Sequence, residues 1–373
     1  MLVSLVAAWV FSSPAVGKRL LALFFVTATI PLMFFLAWEA WLEARLADVS
    51  WVVVLILPTV SASLTLILIE IVGQTFLKPD LFKGDLAVSS PDRRYWYYVR
   101  YMIDGQNRAN AFGFLGRTPR QEPSGRRVLL LGDSIPAAGS PVAFPRIAQD
   151  EYNRIFKPEP ELEIANASMT SYSVEQIYLF YAERLKSLPH DYLVFSFYID
   201  DVNRQLRYAK NNYIYSPAWP EWQQDVYFHC YLCGLTLKLL GVSDAEFRYR
   251  TGTYREAFPR ALSILKETRA LAESRGARFA VINIPRFTWS GVLPRTDAYE
   301  FTDMNKVLEA WCRAERVPYF DTLTLLVGKD ISALRKSETD IHFTDAGHRV
   351  IGTGLVDFFA SLTGDNKAMV ASH

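Results

Sequence analysis

A serine that directly follows a strand-like run is the first residue of this chain that could act as a nucleophile. In RRVLLLGDSIPAAG, Ser134 comes after Gly132 and Asp133, and these follow the apolar run 127–131. A tight turn there would present the Ser134 hydroxyl at the edge of a sheet. A Gly-Asp-Ser triplet is weak evidence alone, because Asp and Ser also cap helices. A serine nucleophile further needs a neighbouring base, oriented by a third group.

Such a pair of residues lies near the C-terminal end. Asp340 and His342 are two residues apart in SETDIHFTDAGHRVIG, directly before a predicted helix that opens near Asp345. In an extended segment, residues i and i+2 project to the same side, so the Asp340 carboxylate can reach the His342 imidazole. The alternative is a surface turn whose acids cap the helix, a role that Asp345 can fill. We interpret Asp340 and His342 as a catalytic pair.

Four segments of the chain resemble, in order and spacing, the four blocks of the SGNH/GDSL hydrolase superfamily. They are GDS at 132–134, NASMTSYSVEQ at 166–176, FYIDDVN at 197–203 and DIHFTDAGH at 340–348. The similarity spans about 107–362 and includes NRANAFGFLGR, which resembles a segment of membrane-linked bacterial members. The resemblance implies a flavodoxin-like three-layer αβα fold with sheet order 2-1-3-4-5. It also implies hydrolysis or transfer of acyl esters, with no metal and no organic cofactor.

The same resemblance implies roles for the three residues singled out above. Ser134 would be the nucleophile, His342 the general base and later the acid, and Asp340 the orienting carboxylate. Family members often place the acid three residues before the histidine, a position that Thr339 occupies here. The shorter Asp-x-His spacing resembles polysaccharide-modifying members, which favours Asp340.

The oxyanion hole of this family combines the nucleophile's N–H, the N–H of a glycine in block two and the amide of an asparagine in block three. Ser134 supplies the first donor. Ser171 stands at the glycine position and keeps the N–H, provided that the backbone angle suits a residue with a Cβ. Asp200 stands at the asparagine position. A carboxylate ~4 Å from the oxyanion would raise the barrier by ~4 kcal/mol, roughly a thousandfold in rate.

Three alternatives follow from Asp200, and the sequence does not choose among them. Asp200 is protonated and donates, or it turns away and Asn203, one helical turn on, supplies the amide, or catalysis has been lost. Asp200 and Asp201 could also simply cap the helix that follows the third strand.

The elements that must position these residues alternate along the chain. Apolar runs predict strands at 127–131, 162–166, 192–198, 278–284 and 317–320. Helical spacing predicts helices at 142–157, 173–188, 253–275, 298–315 and 345–362. This alternation predicts an α/β fold with a parallel sheet covered on both sides. Ligand sites of such sheets lie outside the carboxyl ends of the strands.

The N-terminal region predicts a membrane anchor. The uncharged stretches 20–38 and 49–69 are each close to the ~20 residues of a transmembrane helix, and prolines are tolerated in such helices. Residues 1–17 form an interfacial or third hydrophobic segment. We therefore expect an anchor over 1–73, with its second span at about 49–73, a linker over 74–95 and the hydrolase-like domain over 96–373. The first 85 residues should be dispensable for folding of the remainder.

The segment 208–250 interrupts the alternation and is rich in aromatic residues. We interpret it as an insertion near the site, where its aromatic side chains either contact sugar or acyl groups or fill the core. It holds Cys230 and Cys233 but lacks the second Cys/His pair of a structural zinc site. These are interpreted as packing cysteines or one local disulfide, and no metal site is assigned.

Charge and composition exclude some partners. Lys and Arg number 40 against 39 Asp and Glu, so nothing indicates nucleic acid or another polyanion. The leading hypothesis is a serine esterase or deacylase acting on an acylated glycan, lipid or small ester through an acyl-serine. The alternatives are an O-acyltransferase acting on a polysaccharide, or a catalytically silent domain that binds glycan or scaffolds a membrane complex. Partners in glycan synthesis are unknown.

Basic flanks bear on the side of a bacterial inner membrane that the domain faces. Lys18 and Arg19 precede the first span, Lys78 and Lys83 follow the second, and Arg45 alone is basic in the loop between them. The positive-inside rule then favours the cytoplasmic face. The periplasmic face is the alternative, because members that resemble this chain often act on exported glycans.

Overall fold

The structure is a computed structural model, and it describes twelve stretches of the chain. These are residues 51–73, 87–90, 93–98, 110–114, 118–137, 142–204, 206–210, 213–215, 220–239, 253–286, 290–337 and 340–365. The predicted segment 1–17 and the first predicted span, 20–38, lie outside the described residues. The contacts divide the chain into two compact units, Met1–Asp80 with Trp222–Ser243, and Leu81–Glu221 with Asp244–His373.

The described strands and helices are numbered here in chain order. The strands are β1 (Ala87–Ser89), β2 (Trp96–Tyr98), β3 (Arg127–Leu131), β4 (Glu163–Asn166), β5 (Tyr192–Tyr198), β6 (Tyr208–Lys210), β7 (Tyr213–Tyr215), β8 (Arg278–Ile284) and β9 (Tyr319–Asp321). The helices are α1 (Trp51–Val72), α2 (Phe144–Phe156), α3 (Val174–Arg184), α4 (Glu221–His229), α5 (Tyr231–Leu239), α6 (Tyr254–Ser274), α7 (Thr302–Ala314), α8 (Ile331–Leu334), α9 (Asp345–Gly354) and α10 (Val356–Thr363).

The larger unit is built around a five-stranded parallel sheet. Its strand order is β4-β3-β5-β8-β9, which is 2-1-3-4-5 when only these five strands are counted. Three of the five predicted strands match the structure residue for residue, β4 begins one residue later than predicted, and β9 is shifted by two residues at its start and one at its end. The predicted parallel α/β sheet is confirmed.

Both faces of the sheet are covered, which makes three layers. Within β3, Leu129 and Leu131 enter one hydrophobic cluster, whereas Val128 and Leu130 enter the other. The first cluster includes residues of α3, α6 and α7, and the second includes residues of α2, α9 and α10. A parallel strand buried on both faces reads as a continuous apolar run, which explains why RVLLL was recognisable in the sequence.

The predicted linker 74–95 contains a strand of this unit. Strand β1 pairs with β2 in an antiparallel register that sets Ala87 opposite Tyr98, and Tyr95 and Trp96 are fully buried. The Ser90 hydroxyl also donates a hydrogen bond to Glu183, at 2.9 Å. The Pro, Gly, Ser and charged residues of this stretch indicated a linker, but tertiary pairing orders part of it.

The smaller unit, described by itself, contains α1, which lies where the second membrane span was predicted. Among the described residues, no helix has both the length and the apolar character that crossing a membrane requires, so the predicted spans are not confirmed. Glu70 of α1 accepts hydrogen bonds from the first two backbone N–H groups of α5, those of Tyr231 and Leu232. A carboxylate there satisfies donors that a helix N-terminus leaves unpaired.

The two cysteines of the insertion form a disulfide. Cys230 and Cys233 are bonded to each other at the junction of α4 and α5. This confirms the local disulfide, one of the two interpretations that the sequence left open. The remaining cysteine, Cys312, is free and buried.

Candidate active site

Ser134 lies in a tight turn directly after β3. The turn begins at Gly132, where a Cβ would come within 2.6 Å of the Pro136 side chain and 3.0 Å of the Ser196 side chain. Asp133 is fully buried, and its Oδ1 accepts a hydrogen bond of 2.9 Å from the Ile135 N–H. The glycine therefore permits the close approach, and the aspartate fixes the turn that carries the serine.

The structure brings Ser134, His342 and Asp340 together. The Ser134 Oγ lies 2.9 Å from the His342 Nε2, and the His342 Nδ1 lies 2.6 Å from the Asp340 Oδ1. Since a carboxylate accepts hydrogen bonds, the Nδ1 carries the proton, which leaves the Nε2 free to accept one from the serine. The three side chains form one continuous hydrogen-bonded chain across 208 residues of sequence.

The backbone around Asp340 and His342 holds this pair in place. The Asp340 Oδ1 also accepts from the His342 backbone N–H at 3.0 Å, and the Asp340 N–H donates to the Ser337 hydroxyl at 3.0 Å. The His342 carbonyl accepts from the Lys336 N–H at 2.9 Å. Burial tends to raise the pKa of Asp340, but the hydrogen bonds from the backbone N–H and the ring of His342 outweigh it and lower that pKa below its ordinary value. The carboxylate is thus ionised beside the imidazole.

The second histidine of the last block has a structural environment. His348 is 4% exposed, and its Nδ1 accepts a hydrogen bond of 3.3 Å from the Phe144 N–H, the first residue of α2. Its ring packs against Phe144 and Phe343. Burial lowers the pKa of His348 to about 4, so the ring stays neutral at physiological pH.

The buried His348 predicts a loss of stability on acidification. An unfolded histidine has a pKa of about 6.5, so below that pH the unfolded chain binds the proton more readily than the folded one. From pH 8 to pH 5, this residue should lower the free energy of unfolding by about 2 kcal/mol. We expect His348→Gln, which keeps an acceptor for the Phe144 N–H, to lose that much less over the same interval. Urea unfolding at pH 8 and pH 5 measures this change in the free energy of unfolding for both proteins. The same pH dependence in His348→Gln and wild type would contradict the assignment of this effect to His348.

Ser171 adopts a backbone conformation that favours glycine. Its φ is +63°, and it lies in a turn that the Tyr172 N–H closes onto the Met169 carbonyl at 3.4 Å. A left-handed conformation costs a residue with a Cβ roughly 1–2 kcal/mol. Ser171 therefore has a backbone angle that glycine adopts at little cost. Among the described residues, neither the Ser134 N–H nor the Ser171 N–H has a hydrogen-bond partner.

Asp200 is contacted by a hydroxyl and a guanidinium from other elements. The Tyr254 hydroxyl donates to its Oδ1, and the Arg286 Nε lies 3.2 Å from its Oδ2. Asp200 is 6% exposed, and Asn203, at the end of the same short segment, is 2% exposed. Sequence reasoning missed both partners, because Tyr254 begins α6 and Arg286 follows β8, far away in the chain.

A buried cluster of charges lies directly behind the Ser134 turn. The Arg204 Nη1 is 3.2 Å from the Asp133 Oδ2, 2.8 Å from the Asp201 Oδ1 and 3.1 Å from the Tyr172 carbonyl oxygen. Burial, and then the neighbouring Asp133, raise the pKa of Asp201 well above its ordinary value. Arg204 therefore bridges the Ser134 turn and the segment that carries Asp201. Arg204 was also missed, although a cation one residue after the third block was a visible signal.

Among the residues that the structure describes, no group of three or more His, Cys, Asp or Glu side chains could hold an ion.

Comparison with known proteins gives a distant structural likeness. No known family matches the sequence, and neither does any curated protein. One solved structure to which the chain is similar is an aryl esterase of M. smegmatis, at 14% identity and a TM-score of 0.38. The match covers 64% of this chain and 100% of the esterase chain. A lipase/acylhydrolase from Enterococcus faecalis has 15% identity and a TM-score of 0.39, over 64% of this chain and 96% of its own. A carbohydrate acetylesterase from Sinorhizobium meliloti has 13% identity and a TM-score of 0.39, over 64% and 100%.

Proposed function

We propose that this chain is a serine esterase of the SGNH/GDSL type, which hydrolyses carboxylic esters through an acyl-serine intermediate. The observation that carries the proposal is the continuous hydrogen-bonded chain Ser134–His342–Asp340, with distances of 2.9 Å and 2.6 Å. Such a chain activates a hydroxyl that is otherwise a poor nucleophile at neutral pH.

The geometry supports the following sequence of steps. As the Ser134 oxygen attacks the ester carbon, its proton passes to the His342 Nε2, and Asp340 stabilises the imidazolium that forms. Collapse of the tetrahedral intermediate breaks the bond to the alcohol oxygen, which takes the proton from His342. Water then attacks the acyl-serine, giving its proton to His342, and the second collapse releases the acid and returns that proton to Ser134.

Open access to the site fits a large substrate. The side chains of His342 and Asp340 are 37% and 41% exposed. The acyl group can therefore belong to a glycan, a lipid or a small ester, and the same intermediate would serve acyl transfer to a sugar hydroxyl.

The proposed hydrolysis is tested by rapid-mixing kinetics with p-nitrophenyl acetate. We expect a burst of p-nitrophenol that approaches one equivalent per active site, followed by slower steady turnover if deacylation is rate-limiting. A steady rate that a sugar acceptor raises, with acetylated sugar as the product, would indicate transfer in place of hydrolysis. Absence of any turnover above the uncatalysed rate would contradict both.

For the oxyanion hole, we propose the N–H groups of Ser134 and Ser171 and the side-chain amide of Asn203. The contacts of Asp200 with Tyr254 and Arg286 support the alternative in which its carboxylate turns away from the developing charge. A carboxylate already held between a hydroxyl and a guanidinium keeps its negative charge neutralised. Good catalysis then does not require a protonated Asp200.

A pair of substitutions tests this assignment of the oxyanion donors. We expect Asn203→Ala to lower kcat by about 10²–10³, the usual loss for one oxyanion-hole donor. Asp200→Asn should change kcat by less than about tenfold, because it perturbs an ion pair and leaves the donors in place. Steady-state hydrolysis of p-nitrophenyl acetate measures both. If Asp200→Asn raises kcat at pH 8 and Asn203→Ala leaves kcat unchanged, Asp200 would instead lie in the oxyanion hole.

We also propose that the N-terminal unit attaches the enzyme to a membrane. Helix α1 exposes large apolar side chains, with Leu64 62% and Ile71 57% exposed. Exposed apolar surface of this kind is typical of contact with lipid or another protein. The full-length protein should remain in the membrane fraction after an alkaline carbonate wash. Complete release by that wash would contradict attachment through α1.

For the side of the membrane, the disulfide supports the periplasmic alternative over the cytoplasmic one. Disulfides such as Cys230–Cys233 persist in oxidising compartments and are rare in a reducing cytosol. After mild reduction of intact spheroplasts, we expect a membrane-impermeant maleimide to label Cys230 and Cys233 but not the buried Cys312. Labelling only after lysis would favour the cytoplasmic face.

A further inference from the structure

Two arginines that follow the third block converge on the loop that carries Ser171. The Arg207 Nη2 donates to the Ser171 carbonyl at 2.7 Å, and the Arg204 Nη1 donates to the Tyr172 carbonyl at 3.1 Å. Arg207 is 4% exposed and the side chain of Arg204 is 11% exposed. Hydrogen bonds from a charged donor in such a dry environment are strong ones.

Other contacts anchor both arginines. Arg204 is held by Asp133 and Asp201, so it links the Ser171 loop to the nucleophile turn. The backbone carbonyl of Arg207 accepts from the Gln176 Nε2 at 2.9 Å, and the Gln176 Oε1 accepts from the Ser173 N–H at 3.2 Å. The loop is thus held from outside through its carbonyls, and at its end through the cap of α3.

The conformation of Ser171 explains why such a clamp is needed. Non-glycine residues keep a left-handed backbone only where the surroundings enforce it. The carbonyl that Arg207 holds belongs to the same residue whose N–H is proposed as an oxyanion donor. Rotation of that residue toward a relaxed conformation would turn the N–H away.

We propose that Arg207, assisted by Arg204, is a positioning residue that locks Ser171 in the left-handed conformation required of an oxyanion donor. This inference rests on the proposed esterase function. In a family that places glycine at this position, the backbone angle costs little. In this chain, the guanidinium clamp supplies what the glycine would supply elsewhere.

Glycine rescue tests the positioning role. Arg207→Met should lower kcat about ten- to a hundredfold, with KM changed by less than about threefold, because a donor is misplaced and not removed. Ser171→Gly alone serves as the parent of the double variant, because glycine adopts a positive φ freely. The double variant Arg207→Met with Ser171→Gly should have a kcat at least about tenfold higher than that of Arg207→Met alone. Loss of packing alone would not be repaired by glycine.

Arg126→Met provides a matched control. Arg126 also donates to a backbone carbonyl at 2.7 Å, that of Thr363. It precedes β3, however, and so lies at the opposite end of that strand from Ser134. The Arg126→Met variant should hydrolyse ester at the wild-type rate. If wild type turns over ester and Arg207→Met keeps kcat within threefold, or glycine fails to rescue a folded variant, the positioning role is overturned alone. A wild type without turnover overturns the proposed function, and the positioning role with it.

Discussion

Ser134→Ala is expected to lower ester hydrolysis by at least about 10⁴-fold while leaving the fold unchanged. The hydroxyl forms the covalent bond to the acyl group, and no other described side chain at the site can replace it in that step. Its removal costs little packing, because Ser134 is only partly buried and the turn is held by Asp133 and not by the serine.

Hydrolysis of p-nitrophenyl acetate beside circular dichroism measures this effect. Ser263→Ala, a serine on the exposed surface of α6, provides the control and should keep wild-type activity. Activity of Ser134→Ala above a tenth of wild type, in a folded protein, would remove Ser134 from the role of nucleophile.

His342→Ala is expected to cost about as much as loss of the serine, because members of a triad act as one unit. Without the imidazole, the Ser134 proton has no acceptor at 2.9 Å, and the leaving alcohol has no acid. The same kinetic assay, run over a range of pH, measures the loss.

The matched control is His348→Gln, which removes the other histidine of the same block. His348 accepts a hydrogen bond from Phe144 and is buried away from solvent, so activity at neutral pH should persist. A large loss from His348→Gln together with a small loss from His342→Ala would reverse the two assignments.

The sheet and the hydrogen-bonded chain Ser134–His342–Asp340 were predictable for local reasons. Parallel strands buried on both faces read as continuous apolar runs, so β3, β5 and β8 could be located to the residue. Asp340 and His342 lie two residues apart, and an extended segment brings such residues together without any long-range contact. The serine could be paired with them only through its position after a strand.

The environment of Asp200 was not predictable in the same way. Its partners are the hydroxyl of Tyr254, the first residue of α6, and the guanidinium of Arg286, which follows β8. Only the folded sheet brings these elements together. The sequence showed an acid where an amide was expected, but it did not show the hydroxyl and the guanidinium that contact this acid. A substitution that looks damaging in one block can be offset by residues outside every block.

The backbone of the Ser171 loop was also not predictable from the sequence. A serine at a position that favours glycine left the backbone angle open, and the structure gives +63°. What holds that angle is a pair of arginines from the segment after the third block, together with the cap of α3. Long-range charge contacts of this kind leave no periodic signal in the sequence.

Labelling by a fluorophosphonate probe tests the central claim most directly, because the probe forms a covalent bond only with an activated serine. We expect stoichiometric labelling of the full-length protein, mapped by mass spectrometry to the peptide that contains Ser134. Ser134→Ala should abolish the label, and His342→Ala should slow it strongly. A folded wild-type protein that takes no label, or that takes it at a serine other than Ser134, would contradict the account.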